Sequence, residues 1–159
     1  MADRIKIKVD GLRELGESLK ALNMETRLKI VRAMTSGAAK LVQERAVAHA
    51  PDSEEPHRLD GVLIQPGNLK KNIIQRRNTK TSLTSEHYVT VRGGEKGKYA
   101  SRYGVLVEYG TVKMPQRKFL RRSFLEQVNA LPGKMAEIGK RKIEAAAKRA
   151  AKKPKKSKL

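Results

Sequence analysis

The sequence predicts an α+β protein in which a small antiparallel sheet packs against two or three helices, with a long C-terminal helix and a basic tail. Three observations predict this class. Apolar and polar residues alternate in residues 4–9 and 88–92, as in half-buried strands. Apolar residues recur every three or four positions in residues 12–41 and 120–138, as on one face of a helix. A chain of 159 residues with 38% hydrophobic residues suits a single domain with a modest core, which we assign to residues 1–150.

The first third of the chain contains one predicted strand and two predicted helices. Arg4–Val9 is a strand, and Asp10 is a candidate N-cap for a short helix. Asn23 is a second candidate cap, opening a longer helix that runs to about His49 and ends before Pro51. Small residues in the longer helix predict a close approach to another element. The predicted apolar stripes of the two helices are Leu12, Leu15, Leu19 and Leu22, then Leu28, Val31, Met34, Ala38 and Leu41.

The middle of the chain predicts a long loop followed by a strand pair. Residues 51–67 contain three prolines, two glycines and an acidic cluster, which is typical of a loop insertion. Tyr88–Arg92 is a strand that pairs most simply with a strand over Ile73–Arg77. Gly93–Lys98 is predicted to be the turn at a hairpin tip. Periodicity does not decide whether Tyr103–Tyr109 is a strand or a short helix.

The last predicted element is a long amphipathic helix that follows Pro115. Pro132 and Gly133 must kink this helix or split it in two. Residues 151–159 form a lysine-rich tail without an apolar face, which we expect to be disordered or ordered by a partner. The predicted apolar face of the helix is Leu120, Phe124, Val128, Leu131, Met135 and Ile138.

The chain is strongly basic, and its charge is unevenly distributed. The net charge is +20, of which residues 1–60 contribute +1, residues 61–133 contribute +10 and residues 134–159 contribute +9. Such a charge indicates a polyanionic partner, a solvated tail, or both. The apolar runs are too short to span a membrane, and the absence of cysteine excludes disulfides, thiolate zinc sites and cysteine nucleophiles.

The sequence does not predict an enzyme, a metal site or a cofactor. The three histidines are widely separated and lack ligand spacing. The glycine-rich stretch Gly93–Lys98 has one residue too few for a phosphate-binding loop and lacks its Ser or Thr. All six aromatic residues lie between Tyr88 and Phe124. We interpret Phe119 and Phe124 as packing residues, whereas the tyrosines suit an interface as well as a core.

Four short motifs occur in an order that resembles a known family. A helix ends in Ala50-Pro51, and Gly67-Asn68-Leu69-Lys70 follows with Ile73 three residues later. Glu108-Tyr109-Gly110-Thr111 comes next, and Phe119-Leu120-Arg121 follows a proline. Together with the opening strand and leucine helix, this order over about residues 4–145 resembles the tail-completion or head–tail joining components of long-tailed phages. In that family the segment equivalent to residues 52–66 is usually shorter, so we interpret it as an insertion.

The resemblance implies a structural protein of the phage neck with no catalytic role. It implies a ring of identical subunits, expected to be a hexamer, between the tail tube and the head connector or stopper. Its location would be the virion, after assembly in the host cytoplasm. Glu108, Tyr109, Gly110 and Thr111 would form a tight turn at a subunit or partner interface, with Glu108 either facing the ring or serving as a buried acceptor.

Two charged segments are further candidates for contacts. Asp52, Glu54 and Glu55 form an acidic group that could contact a neighbouring subunit. A ring threaded by DNA would bring lysines near phosphates, without reading the base sequence. The candidate channel residues are Lys152, Lys153, Lys155, Lys156 and Lys158.

The charge by itself favours a second function class. A small basic protein that binds nucleic acid, of the DNA-packaging or ribosomal kind, would also carry such an excess of Lys and Arg. Its affinity for DNA should fall steeply with salt. The order of the motifs favours the neck protein, and the two hypotheses differ in whether the protein assembles.

Overall fold

The computed structural model describes residues 12–59, 62–78, 84–94 and 99–152. The strand predicted at Arg4–Val9 and its following cap at Asp10 lie outside these ranges. The described residues form six helices and two antiparallel strand pairs, which confirms the α+β class. In chain order the elements are α1 (Leu12–Lys20), α2 (Met24–His49), β1 (His57–Leu59), β2 (Val62–Ile64), α3 (Asn68–Asn72), β3 (Ile73–Arg77), β4 (His87–Val91), α4 (Ala100–Tyr109), α5 (Phe119–Gln127) and α6 (Leu131–Lys152).

Helix α2 is the central element, and both of its predicted ends are confirmed. The Asn23 side chain accepts a hydrogen bond from the Thr26 backbone N–H at 2.9 Å, as an N-cap does. Ala50 is extended because it precedes a proline. The predicted buried stripe is only partly right. Met34 and Ala38 are buried, but the other buried positions of α2 are Ile30, Ala39, Val42 and Ala46. The stripe is displaced because α2 packs against α5, α6 and the β3–β4 pair together.

One half of the core lies between α1, α2 and α6. Leu15, Ile30 and Met34 pack there with Ala136 and Ile138 of α6. The predicted close approach occurs at Gly37, where an added Cβ would lie 2.1 Å from the Ile138 side chain. Glycine leaves room there for the Ile138 side chain, which would have to shift if this position carried a Cβ.

The other half of the core lies around the β3–β4 hairpin. The predicted pairing is confirmed, with Ile73 opposite Val91 and Arg77 opposite His87. The Gln43 side chain donates to the Ile73 carbonyl at 2.8 Å and so connects α2 to the hairpin. This half of the core contains Ala46, Ala50, Leu69, Ile73, Val107 and Phe119.

The prediction of a hairpin with its tip at Gly93–Lys98 was wrong for the described residues, Gly93 and Gly94, and residues 95–98 lie outside them. The β3–β4 connection is residues 78–86, and Gly93 follows the second strand of the pair. No strand follows β4 among the described residues, and the next element is α4, so 103–109 is helical. Gly104 of α4 packs against the Val91 side chain, so the helix covers the end of the strand pair. Tertiary packing therefore decided what periodicity had left open.

The loop at residues 51–67 contains more regular structure than predicted. Residues 57–59 and 62–64 form the short β1–β2 pair, with His57 opposite Ile64. Three-residue strands are too short to show an alternating pattern, and the prolines and glycines around them favoured a loop.

The predicted C-terminal helix is split into α5 and α6, and Pro132 lies in the first turn of α6. This is where proline is tolerated, because the first N–H groups of a helix have no partner within it. Phe119 is 1% exposed, but the packing role predicted for Phe124 was wrong, since 46% of it is exposed beside a surface groove. No helix in the described ranges is both long and apolar enough to cross a membrane.

Candidate assembly surface

The segment between α4 and α5 makes a tight turn that requires glycine. Gly110 has φ +79°, a backbone region that disfavours side chains. An added Cβ would lie 2.8 Å from the Gln116 backbone nitrogen and 2.9 Å from the Met114 carbonyl oxygen. The Thr111 N–H donates to the Met114 carbonyl at 2.8 Å and closes the turn. The turn expected at Gly110 is therefore present.

Glu108 connects the end of α4 to the beginning of α5. Its side chain is buried, at 9% exposure. The carboxylate accepts the backbone N–H of Leu120 at 2.8 Å and that of Arg121 at 3.1 Å. Helix-opening N–H groups lack partners within the helix, and the helix dipole favours a negative charge there. Of the two roles left open for Glu108, the structure shows the buried acceptor.

A buried contact below the turn keeps α5 in place. Phe119 is 1% exposed and packs in the core with Val107 of α4, and Ser123 on the next turn of α5 is fully buried. The Arg117 N–H donates to the Val107 carbonyl at 2.9 Å. The turn, Glu108 and this contact together fix α4 and α5 as one rigid unit.

This unit presents an apolar surface to solvent. Val105 is 56% exposed, Tyr109 is 76% exposed and Val112 is fully exposed. Val105 and Tyr109 are four residues apart in α4 and so lie on one face of the helix. We call Val105, Tyr109 and Val112 the α4 ridge. Exposed apolar residues indicate an interaction site when they are neighbours on the surface, as Val105 and Tyr109 are on one face of α4.

Glu126 links α5 to α2 through three basic side chains. Its carboxylate accepts from Arg45 Nε at 2.6 Å and from Arg122 Nε at 2.9 Å, and it lies 2.8 Å from His49 Nε2. Hydrogen bonds from His49, Arg45 and Arg122 lower the pKa of Glu126 to about 2. The carboxylate therefore remains charged in acid, where most glutamates are protonated.

Of the acidic residues Asp52, Glu54 and Glu55, only Asp52 has a hydrogen-bond donor and an ion-pair partner among the described residues. Asp52 accepts the backbone N–H of Gly67, and its other oxygen lies 3.5 Å from the Lys70 ammonium. The Gly67 hydrogen bond, with the Lys70 charge, lowers the pKa of Asp52. Asp52 thus joins the two ends of the segment that contains β1 and β2. Glu54 and Glu55 are exposed and form no ion pair with another described residue.

Comparison with known proteins identifies the family. A family model described as “Bacteriophage HK97-gp10, putative tail-component” matches residues 13–110, more than half of the chain. The chain belongs to this family of phage tail components. No curated protein and no solved structure matches the chain significantly.

The family match extends from α1 through α4 and ends at Gly110. As a phage tail component, the protein is a structural part of the virion that contacts other tail or head proteins. The match includes Val105 and Tyr109 of the α4 ridge, whereas α5 and α6 lie beyond it.

The residues predicted to make contacts differ in their exposure to solvent. Tyr109 and Thr111 are exposed, whereas Glu108 is buried and Gly110 shapes the turn. Lys152 is the last residue of α6, and Lys153, Lys155, Lys156 and Lys158 lie outside the described residues. In the described ranges, no group of three or more His, Asp or Glu residues is arranged to hold a metal ion.

No sequence pattern indicated two members of the α4 ridge, Val105 and Val112. Once α4 is known to be a helix, the spacing of Val105 and Tyr109 reveals their shared face. Periodicity could not show which face of α4 would be left uncovered, because that depends on how α3, α5 and β4 pack against it.

Proposed function

We propose that this tail component is a ring-forming subunit of the phage neck that joins the tail tube to the head connector around the DNA channel. The observation that carries the proposal is the α4 ridge, which exposes three apolar side chains on a rigid unit. Such a surface contributes to binding when a neighbouring protein covers it. Because the unit is already rigid, its side chains and backbone need not be ordered on binding. The family membership makes tail or head proteins the expected neighbours.

The basic charge suits a subunit that surrounds DNA. Helix α6 carries seven basic and two acidic residues, and further lysines follow it. Lysines near the channel would neutralise phosphates without selecting a base sequence. We propose Lys152, Lys153, Lys155, Lys156 and Lys158 as the channel contacts.

The test is assembly on phage particles. The protein is purified with nuclease in high salt, and its native mass and negative-stain images are recorded alone and with tails that lack it. Closed rings, alone or on added tails or connectors, support the proposal. A protein that stays monomeric and never attaches would refute it.

A matched pair of variants tests the role of the α4 ridge. Val105→Gln combined with Tyr109→Gln should abolish attachment to tails while leaving thermal unfolding nearly unchanged, because both side chains are exposed. Leu125→Gln is the control, since Leu125 is 49% exposed on α5 and does not belong to the ridge. Attachment that survives the double substitution would exclude the ridge as the contact.

The +20 charge supports a second candidate, a nucleic-acid-binding protein that acts as a monomer or dimer. This candidate predicts duplex DNA binding that weakens steeply with salt and uniformly as basic residues are removed from 134–158. The neck proposal instead predicts that truncation after Ala150 leaves assembly intact. Measuring both properties on the truncated protein separates the two functions.

A further inference from the structure

A basic groove lies between the N-terminal half of α2 and the C-terminal half of α6. Its volume is about 490 Å³. Its floor is apolar, and its rim is basic. The buried and half-buried apolar residues of the floor are Ile30, Ala33, Ala145 and Ala146, the exposed basic residues of the rim are Lys29, Lys142 and Arg149, and Asn23 and Thr26 complete the lining.

Two of the positive charges at the rim have no acidic partner among the described residues. Lys29 forms an ion pair with Glu25 at 2.5 Å, which offsets its charge. Lys142 and Arg149 are exposed and form no ion pair with any described residue. They are seven residues apart on α6 and therefore share one face, with about 10 Å between their positions along the axis. The groove therefore suits a segment that carries negative charges beside apolar side chains.

This chain contains such a segment at the base of the β1–β2 pair. Glu54 and Glu55 are the only two acidic residues adjacent in the sequence. Both are exposed, and neither is paired with another described residue. Leu63 of β2 lies in the same segment and is 50% exposed. Asp52 accepts the backbone N–H of Gly67 and so joins the two ends of this segment.

The groove and the acidic segment lie at opposite ends of α2. The groove involves residues 23–33, whereas Glu54 follows the C-terminal end of the helix at His49. The 16 helical residues from Met34 to His49 span about 24 Å. The two surfaces therefore cannot contact each other within one subunit, but they can between subunits arranged head to tail.

We propose that neighbouring copies contact each other by placing the Glu54–Glu55 segment of one copy in the α2–α6 groove of the next. This inference rests on the proposed ring and specifies its lateral contact. Two different surfaces meet in such a contact, and repetition closes a ring when the rotation between copies allows it. The apolar floor favours a protein segment over DNA, because phosphates gain nothing from alanine and isoleucine.

Charge reversal tests the contact on the full chain. Glu54→Lys/Glu55→Lys and Lys142→Glu/Arg149→Glu should each raise the protein concentration needed for half-assembly by about tenfold or more. An equimolar mixture of the two variants restores complementary contacts only where the two variants alternate around the ring, so the critical variant combines all four substitutions in one chain. That chain should assemble near the wild-type concentration, because every interface is again complementary.

The control is Lys140→Glu/Lys148→Glu, which changes the net charge equally on exposed positions of α6 outside the groove. Native mass and sedimentation are measured at low and high salt, on tails as well as free, and thermal unfolding verifies that each variant is folded. Assembly should be unaffected by the control and should weaken with salt in the wild type.

The outcomes separate this inference from the proposed function. If rings form and the groove variants assemble normally, or the four-fold variant is not restored, the inference fails and the neck function stands. If Lys142→Glu/Arg149→Glu weakens only duplex DNA binding, the groove is a DNA contact and the inference is likewise overturned. If the wild type forms no rings, even on tails or connectors, both proposals fail.

Discussion

Removing the Glu108 carboxylate tests whether it holds α4 and α5 together. Glu108→Ala deletes the acceptor of the Leu120 and Arg121 N–H groups, which lie 2.8 and 3.1 Å away. Hydrogen bonds to a charged group contribute about 1.5 kcal/mol or more each, so we expect a loss of about 3 kcal/mol in the free energy of unfolding. For a domain of this size that corresponds to a fall in Tm of about 6–12 °C. Glu108→Gln retains one acceptor oxygen and should lose about half as much.

Urea unfolding followed by circular dichroism provides the measurement. The control is Glu137→Ala, because Glu137 is exposed and its ion pair with Lys134 is screened by solvent, so its removal should change stability little. The slope of the free energy of unfolding against urea concentration should be the same for the variants and the wild type. A Glu108→Ala loss as small as that of the control would refute the view that the buried carboxylate anchors α5.

Three further predictions concern other positions. Gly110→Ala should lower the free energy of unfolding by about 2 kcal/mol, because Gly110 has φ +79° and backbone atoms lie close to the added Cβ. Gly16→Ala should raise it by up to about 1 kcal/mol, because Gly16 lies within α1 and an added Cβ meets nothing within 4 Å. Thermal unfolding checks both substitutions. Glu126→Gln should be less stable than wild type at neutral pH. Folding lowers the pKa of Glu126 from 4.5 to about 2. The stability difference between wild type and Glu126→Gln should therefore shrink as the pH falls from 4.5 to 2, and it should vanish below about pH 2. Urea unfolding at several pH values measures this difference. Asn23→Ala should cost about 1 kcal/mol by removing the N-cap of α2, measured by urea unfolding.

Each of these predictions has a contrary result. A Gly110→Ala protein as stable as wild type would show that the turn relaxes without cost. A stability difference between wild type and Glu126→Gln that stays constant from neutral pH to pH 2 would show that protonation of Glu126 is not coupled to unfolding. An unchanged Asn23→Ala protein would mean that packing alone sets the beginning of α2.

Local chemistry made several elements predictable. The Asn23 cap and Pro51 marked both ends of α2, because capping and the steric effect of proline act within a few residues. The β3–β4 pairing followed from nearby strands with a short connection. The Glu108–Thr111 motif indicated a turn, since Gly110 provides a conformation that other residues avoid.

Other features depended on contacts between distant parts of the chain. Gly93–Lys98 has the composition of a hairpin tip, yet it leads into α4, because α4 covers the end of the strand pair at Val91. Phe124 fits an apolar helix stripe and is nevertheless half-exposed, because its neighbours leave a groove beside it. A stripe predicts that a face is apolar, but not that another element covers it.

The sequence by itself determined the α+β class, the ends of α2, the β3–β4 pair and the turn at Gly110, since each depends on local conformational preferences. Only the tertiary structure decided that Glu108 is buried beneath α5, that the α4 ridge is exposed, and that Lys142 and Arg149 border a groove with α2. The physical reason is that burial and exposure depend on which surfaces meet. In this chain, the two walls of the groove are more than a hundred residues apart in sequence.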